Sequence, residues 1–482
     1  MEKIIDESRQ GEALLMDDPK INLESKKVYI ESYGCQMNFS DSEIVASILI
    51  NSGYQTTRDM SEADAIFLNT CSIRDKAEKT VRQRISTLRK QKRAHGNLVI
   101  GILGCMAERM KHQLLEEEKL VDIVVGPDAY RDLPNLLAET EDGRKAVNVL
   151  LSKEETYGDI TPVRLDSNGV SGFISITRGC DNMCTFCVVP FTRGRERSRD
   201  PESILAEARD MLDKGYKEVT LLGQNVDSYL WHGGGLKKEF ESLTEEEKKN
   251  SCNFAELLGK VAKVSPELRV RFSTSHPKDM TDDVLETMSA HENICDYIHL
   301  PFQSGSNEIL ERMNRGYTRE WYLNRIAAIH RILPECTISS DIICGFCGES
   351  DQDHRDSLSL MDEVKFSYSY MFKYSERPRT LAERKYKDDI SETLKQERLA
   401  EIIDKQLQHS HEVTKRFIGK TCQVLVEGKS KKNEHFLYGR NAQNIVVVFP
   451  KETYKPGDYV MVKIDSCTAA TLIGKALRNN NS

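Results

Sequence analysis

"TRGCDNMCTFCVVPFTRGRERSR", residues 177–199, places three cysteines within eight residues and then four arginines at alternate positions, with no fourth cysteine close by. The stretch follows "FISIT" at 173–177, a short β-branched and aromatic run that reads as a strand. The cysteines therefore sit on a loop at the carboxyl end of a strand. Structural zinc sites take four ligands, often as two C-x2-C pairs, and iron–sulfur clusters usually take four thiolates. Cys180, Cys184 and Cys187, spaced C-x3-C-x2-C, supply three. Three thiolates on a four-iron cluster leave one iron without a protein ligand, and an open position is how a metal site admits a substrate. A zinc knuckle completed by a distant ligand is the alternative.

Beyond this loop the same pattern repeats. "EVTLLG", "RVRFST", "YIHLPF", "TISSDIIC" and "YSYMFKY" are further candidate strands, separated by helical segments such as "PESILAEARDMLDKG" and "SNEILERMN". Six βα units predict an open or partial barrel with its active site at the strand C-termini. "HGGGLKKEFESLTEEEKKNSCN", glycine-rich and then charge-rich, reads as a surface insertion. On the N-terminal side, "KVYIES", "DAIFLN", "LVIGIL" and "VDIVVG" alternate with "DSEIVASILINSG" and "KAEKTVRQRISTLRKQKR", which predicts a βα-repeating parallel-sheet domain. Cys35, Cys71 and Cys105 each fall just past one of its first three strands. Open parallel sheets bind ligands outside the carboxyl ends of their strands, so three thiols distant in sequence can meet at one edge. On the C-terminal side, "TCQVLVEG", "FLYGR", "NIVVVFP", "DYVMVKI" and "TLIGKAL" are short strands split by polar turns, the pattern of a small all-β barrel.

A chain of 482 residues, 39% hydrophobic and 30% charged, has the composition of a globular protein of about three domains. No run of about 18 apolar residues suggests a membrane span, and the polar, acidic start lacks the basic-then-apolar pattern of a secretory signal. A cytoplasmic protein is expected. Thirteen cysteines in such a compartment point to metal or catalytic roles rather than disulfides. The net charge of -8 conceals an asymmetry, because residues 411–482 carry twelve Lys or Arg against six Asp or Glu, a net of +6. A basic terminal module on an acidic body suits a polyanion partner, and a plain solvated surface is the alternative. The expected division is a disordered leader at 1–25, then domains at 26–142, 166–398 and 401–478.

The loop at 180–187 resembles the signature of the radical S-adenosylmethionine enzymes. That resemblance implies a 4Fe-4S cluster whose free iron is chelated by S-adenosylmethionine, and a deoxyadenosyl radical that abstracts hydrogen from an unactivated carbon. It makes Phe186 an aromatic neighbour of the adenine. It makes "LLGQNVDSY", "RFSTSHP" and "DIICGFCGES" cofactor-lining strand ends, with Gln224, Asn225, Ser273 and Glu349 as candidate contacts. "SYGCQMN", "NTCSIRDKAEK" and "LGCMAER" in turn resemble the N-terminal domain of the methylthiotransferases, which implies a second, auxiliary 4Fe-4S cluster on Cys35, Cys71 and Cys105. The C-terminal strands resemble a TRAM domain, a small RNA-binding barrel, with Lys429, Lys431, Lys432 and Arg440 as candidate phosphate contacts. Arg193 and Arg195 are candidate RNA contacts as well; for these and for Arg197 and Arg199, cofactor carboxylate, tRNA backbone and solvent all remain open.

Within the methylthiotransferases the motifs are closest to the branch acting on tRNA. This implies conversion of N6-isopentenyladenosine at position 37 to its 2-methylthio derivative with two S-adenosylmethionine molecules, one donating methyl and one supplying the radical. The base is expected to leave the anticodon-loop stack. An electron donor such as a flavodoxin or ferredoxin, no membrane and a monomeric state complete the expectation. The same chemistry on threonylcarbamoyladenosine or on a ribosomal-protein aspartate is the nearest rival, and a non-enzymatic zinc-holding RNA-binding protein a rival of another class. One departure is visible: where similar enzymes have "GFPGE" this chain has "GFCGE". Cys347 thereby forms C-x2-C with Cys344, open to a redox, metal or packing role.

Overall fold

The computed structural model describes residues 25–72, 75–141, 143–165 and 168–477, excepting the side chains of 75–77 and 141. The leader expected at 1–25 lies, but for Ser25, outside them.

Six strands, β1 (Lys27–Tyr33), β2 (Gln55–Thr56), β3 (Ala65–Thr70), β4 (Val99–Gly104), β5 (Ile123–Val125) and β6 (Ala146–Asn148), form a parallel sheet in the order β2-β1-β3-β4-β5-β6. Every residue of β3 is buried, as expected of a central parallel strand covered on both faces. On one face, Ile44, Val45 and Leu49 of the helix Gln36–Asn51 pack with Leu133, Leu136 and Leu137. On the other, Val81 and Ile85 of the helix Asp75–Thr87 pack with Met106 and Leu114. The register sets Tyr33 of β1 opposite Thr70 of β3, and Thr70 opposite Gly104 of β4. Three strands thus end in one row, roughly 4.8 Å apart from neighbour to neighbour, and a cysteine follows each.

The second unit holds β7 (Ser171–Ser175), β10 (Glu218–Leu222), β13 (Arg269–Ser273), β14 (Tyr297–His299), β15 (Thr337–Cys344) and β16 (Tyr368–Lys373). Two parallel three-stranded sheets, β7-β10-β13 and β14-β15-β16, meet at a parallel bridge between Val270 and Ile294. The expected six-stranded partial barrel is therefore present. The apolar core lies between these strands and the helices around them: Phe272 meets Phe254 edge-on at 5.3 Å, and Phe302 lies 6.0 Å from Tyr322 and is stacked on Phe366 at 5.3 Å. Two short pairs complete it: β8 (Thr177–Arg178) with β9 (Arg197–Ser198), and β11 (Leu230–Trp231) with β12 (Cys252–Asn253), both antiparallel. The β8–β9 pair closes the base of the cysteine loop, and β11–β12 closes the base of the insertion.

The helix Glu392–Lys415 runs unbroken through the boundary expected at 398–401. Its buried face, including Ile402 and Gln406, lies on the barrel, where Gln406 donates to the Phe366 carbonyl at 2.9 Å. Ser391 caps its start, and the buried ion pairs of Lys395 with Asp388 and of Arg398 with Glu349 hold the first turns on the barrel. Beyond it β17 (Thr421–Lys429), β18 (Phe436–Arg440), β19 (Val446–Pro450), β20 (Tyr459–Cys467) and β21 (Thr471–Ala476) close a barrel in the order β17-β18-β19-β21-β20. The small barrel is anchored at the amino ends of β10, β13 and β15. Arg271 bridges Glu218 at 2.7 Å and the Asn441 carbonyl at 2.7 Å, Arg269 donates to the Arg440 carbonyl at 2.8 Å, and Thr337 donates to the Gln443 carbonyl at 2.8 Å. This is the end of the large barrel remote from the cysteine loop.

Candidate active site: two cysteine triads

The N-terminal triad is built by its neighbours in the three motifs. Cys35 caps the helix Gln36–Asn51, and Cys105 opens the helix Cys105–Met110. Asn38 donates to Asn69 Oδ1 at 3.2 Å and to the Thr70 carbonyl at 3.0 Å, while Asn69 donates to the Asn38 carbonyl at 2.8 Å. These reciprocal amide bonds tie the turn carrying Cys35 to the one carrying Cys71. Thr70 Oγ1 donates to the Leu103 carbonyl at 2.7 Å and ties in the third. Gly34 (φ +131°) has no room for a Cβ, which would overlap that of Cys71; at Gly104 (φ +86°) a Cβ would come within 2.5 Å of Asn69 Oδ1. Both positions require glycine.

The thiols respond to this placement. Cys71 hydrogen-bonds Cys35 and, with the charge of Arg193, pulls the Cys35 thiol below the ordinary value against the effect of burial. Burial pushes Cys105 up, while Arg193 opposes it through a hydrogen bond from Nε to Sγ at 3.2 Å. In the loop triad, burial and then the neighbouring cysteine Cys184 push Cys187 up to about 12, and burial with Cys187 raises Cys180 further. Arg315 donates to Cys184 Sγ at 3.2 Å. The helix Cys105–Met110 contacts the helix Val189–Thr192, which follows Cys187, and Arg193 beyond it reaches Cys105 Sγ at 3.2 Å, so the two triads lie near one another where the two units meet.

Among the described residues, no three His, Cys, Asp or Glu side chains converge as ligands of a single metal ion would. A cluster asks for a wider spacing, because each thiolate takes a separate iron. The donor set, three soft thiols in each triad with one arginine N–H on a sulfur, fits iron–sulfur ligation. A polar ligand fits beside the loop triad. Gln224 Oε1, Asn225 Oδ1, Asp227 Oδ2, His276 Nε2 and Gln303 Oε1, all on segments following β10, β13 and β14, are buried without a hydrogen-bond partner. Burial holds Asp227 well above the usual carboxylate range and His276 down at about 2. Unsatisfied groups of this kind cost free energy unless a ligand meets them.

The remaining expected site residues fall in several places. Phe186 is half-buried and packs against Ile309, Met313, Phe346 and Tyr374. Ser273 is half-buried at the tip of β13. Glu349 is occupied internally, accepting from the Gly345 N–H at 2.6 Å and from Arg398 at 2.8 Å, with burial raising it to about 7. Cys344 and Cys347 are buried free thiols, and Cys344 points to the Phe372 and Lys395 carbonyls. The arginine run is not a solvated face. Arg197 donates to both oxygens of Asp128 at 2.8 and 2.9 Å, Arg199 pairs with Glu207, and Arg193 reaches Asp41 at 2.8 Å, all three buried. Arg193 therefore faces a cysteine and a carboxylate instead of RNA. Arg195 alone of the four is well exposed, paired with Asp181. Arg178 joins the set through Asp41 at 2.9 Å, so buried ion pairs fasten the N-terminal sheet to the barrel. In the small barrel Lys429, Lys431 and Lys432 are exposed, whereas Arg440 pairs with Glu427 at 2.6 Å beside the domain junction.

Arg315, Asp41, Asp227, His276 and Gln303 escaped the sequence reading. Asp227 and His276 sit in quoted motifs, "LLGQNVDSY" and "RFSTSHP"; Arg315, Asp41 and Gln303 carry no local signal, since their partners come from other elements.

Comparison with known proteins agrees with this architecture. Residues 27–126 match the Uncharacterized protein family UPF0004, residues 174–361 the Radical SAM superfamily, and residues 415–477 the TRAM domain. The chain is 60% identical to a tRNA-2-methylthio-N(6)-dimethylallyladenosine synthase of Christiangramia forsetii over 100% of both chains. It is 59% identical to the enzyme of that name from Flavobacterium johnsoniae over 99% of both. Among solved structures it resembles in fold a radical S-adenosylmethionine methyltransferase, TsrM, from Kitasatospora setae, with a TM-score of 0.52, 13% identity and coverage of 74% of this chain and 77% of that one. With two cysteine triads on a methylthiotransferase sheet and a radical barrel, and a TRAM barrel behind, the chain belongs to the tRNA-2-methylthio-N6-dimethylallyladenosine synthase family of methylthiotransferases.

Proposed function

We propose that this chain methylthiolates carbon 2 of N6-isopentenyladenosine at position 37 of tRNA. The observation that carries this reading is the closeness of two cysteine triads, linked by Arg193 of the radical loop on Cys105, in a chain so close over its full length to synthases of that name. A 4Fe-4S cluster and S-adenosylmethionine follow from the Radical SAM match. In our reading Cys180, Cys184 and Cys187 hold that cluster, and Cys35, Cys71 and Cys105 hold a second. Bound, these groups supply hydrogen-atom abstraction at an unactivated carbon and transfer of a methylthio group.

The chain's own residues prepare that chemistry. Gln224 and Asn225, with Asp227, His276 and Gln303, offer buried polar atoms to the amino, carboxylate and ribose groups of S-adenosylmethionine. A neutral Asp227 donates from Oδ2, and a neutral His276, whose Nδ1 accepts from the Lys278 N–H at 3.3 Å, donates from Nε2. Phe186 and Ser273 lie near the mouth, while Glu349 serves by fixing the turn at Gly345. Arg315 and Arg193 steady one thiolate in each triad. Carbon 2 of adenine has no acidic proton, so the residues needed are those that position and exclude water rather than a general base.

Recognition of tRNA falls to the TRAM barrel and its exposed Lys429, Lys431 and Lys432. Among the described residues no helix is long and apolar enough to cross a membrane. A cytoplasmic monomer reduced by a flavodoxin- or ferredoxin-type donor, divided near 26–142, 166–398 and 401–478 with the helix Glu392–Lys415 shared by the last two, completes the proposal. The test is ribonucleoside analysis of tRNA from a deletion strain. Isopentenyladenosine accumulates and its 2-methylthio derivative disappears; persistence of the derivative refutes the assignment.

A further inference from the structure

Arg193 follows the short helix Val189–Thr192, six residues beyond Cys187, yet its guanidinium is directed at the other triad. Nε donates to Cys105 Sγ at 3.2 Å and Nη2 to Asp41 Oδ2 at 2.8 Å, while the buried Nη1 has no hydrogen-bond partner. Asp41, itself fully buried, also accepts from Arg178 at 2.9 Å. The loop triad has a counterpart without the carboxylate. Arg315 donates to Cys184, to the Tyr317 hydroxyl at 3.0 Å and to the Pro301 carbonyl at 2.9 Å. Each triad thus has a buried arginine donating to one of its sulfurs, and of these two only Arg193 is hydrogen-bonded to an acid; Arg377 also lies within electrostatic reach of Cys71.

Cluster potentials are set by net charge, by hydrogen bonds to sulfur and by exclusion of water. One-electron reduction makes the cluster more negative by one charge, breaks no bond, and leaves the guanidinium protonated. A buried positive charge on a ligating sulfur therefore favours the reduced state, and a carboxylate beside it counters that effect. We infer that Arg193 is a positioning residue that sets the reduction potential of the group held by Cys35, Cys71 and Cys105, with Asp41 trimming its charge. The unmatched Nη1 then has an acceptor in the sulfur of that group. This inference rests on the two-cluster reading above. It adds that one side chain of the radical loop governs the auxiliary site, so the loop's position and the auxiliary site's electronics change together.

The test uses the reconstituted full-length chain with Cys180, Cys184 and Cys187 replaced by Ala, in which only the N-terminal triad ligates a cluster, in an anaerobic titration followed by electron paramagnetic resonance. At the parent's midpoint, Arg193→Gln is expected to lower the reduced-to-oxidised ratio about tenfold, about 59 mV for one electron. Arg193→Lys falls between. Asp41→Asn, which keeps the shape and removes the negative charge, raises the ratio. Opposite signs are the signature, since mere loosening of the site would shift both variants alike. If Arg193→Gln fails to retain iron, Asp41→Asn decides alone: an unchanged or lowered ratio overturns the inference. Iron for two clusters in the native chain with midpoints unmoved by either variant overturns it while leaving the two-cluster reading intact. Iron for one cluster only in the native chain overturns both.

Discussion

Glu108, three residues beyond Cys105, is buried in the N-terminal unit, and burial pushes its carboxyl from 4.5 to about 7 against the opposing effect of Lys111, 3.1 Å away. The folded state holds this proton more tightly than the unfolded chain does. The stability it contributes is full below about pH 4.5 and is lost as the pH rises to about 7. Glu108→Gln cannot ionise, so the stability difference between variant and parent should grow in the variant's favour across that window, towards about 3 kcal/mol. Denaturant unfolding at a series of pH values measures it, and a pH-independent difference would contradict the assignment. Gly104 makes a sharper case. Its φ of +86° and the 2.5 Å approach to Asn69 Oδ1 make Gly104→Ala cost about 1–3 kcal/mol. Because that turn aims Cys105, the reconstituted variant should also lose about four irons per chain, read by anaerobic iron assay against the melting curve.

Among elements, the strands that carry the site were legible. β1, β3 and β4 are apolar runs, each followed within two residues by a cysteine, and the six barrel strands repeat at βα spacing. The two-residue β2 and three-residue β6 are too short to show a period. The start of the helix Glu392–Lys415 was hidden because its first buried residues, Lys395 and Arg398, are charged, and Glu349, a partner of Arg398, lies 49 positions away. The arginines illustrate the deeper limit. Their alternate spacing suggested a strand face, but β9 is only two residues long, and the partners of Arg193 and Arg197 stand 152 and 69 positions away. Local pattern carries no information about such pairs; the topology that brings Asp41 and Asp128 to the loop decides them. The grouping of the cysteines was legible for the opposite reason, since it is set by spacing and strand position. Arg197→Ala should strip Asp128 of its bidentate partner, leaving this buried carboxylate only Arg178 at 3.7 Å and the Ser152 N–H at 3.1 Å, at a cost of about 3–5 kcal/mol, seen as a lowered denaturation midpoint. A change within about 0.5 kcal/mol, usual for a surface substitution, would contradict the buried pairing.

For the molecule as a whole, the TRAM barrel is fixed to the amino ends of β10, β13 and β15, and the cysteine triads lie at the carboxyl end. An RNA held by both must span the height of the large barrel, so stem contacts and base chemistry are separable. Replacing Lys429, Lys431 and Lys432 together by Gln should weaken tRNA binding and flatten its salt dependence by up to about three phosphate contacts. Turnover at saturating tRNA should be unchanged; an unaltered salt slope would remove these lysines from the interface. Arg440→Gln should instead weaken the small barrel itself, since its guanidinium pairs with Glu427 of the neighbouring strand; a lowered denaturation midpoint measures it.

The central claim is a division of labour between two triads acting on one base. Its most direct test is an anaerobic reaction of reconstituted protein with an isopentenylated anticodon stem-loop, S-adenosylmethionine and a low-potential reductant, with methylthio product and 5'-deoxyadenosine measured together. Both are expected from the parent chain, neither from Cys184→Ala, and deoxyadenosine without methylthio product from Cys71→Ala. Methylthio product from Cys71→Ala, or deoxyadenosine from Cys184→Ala, would contradict it.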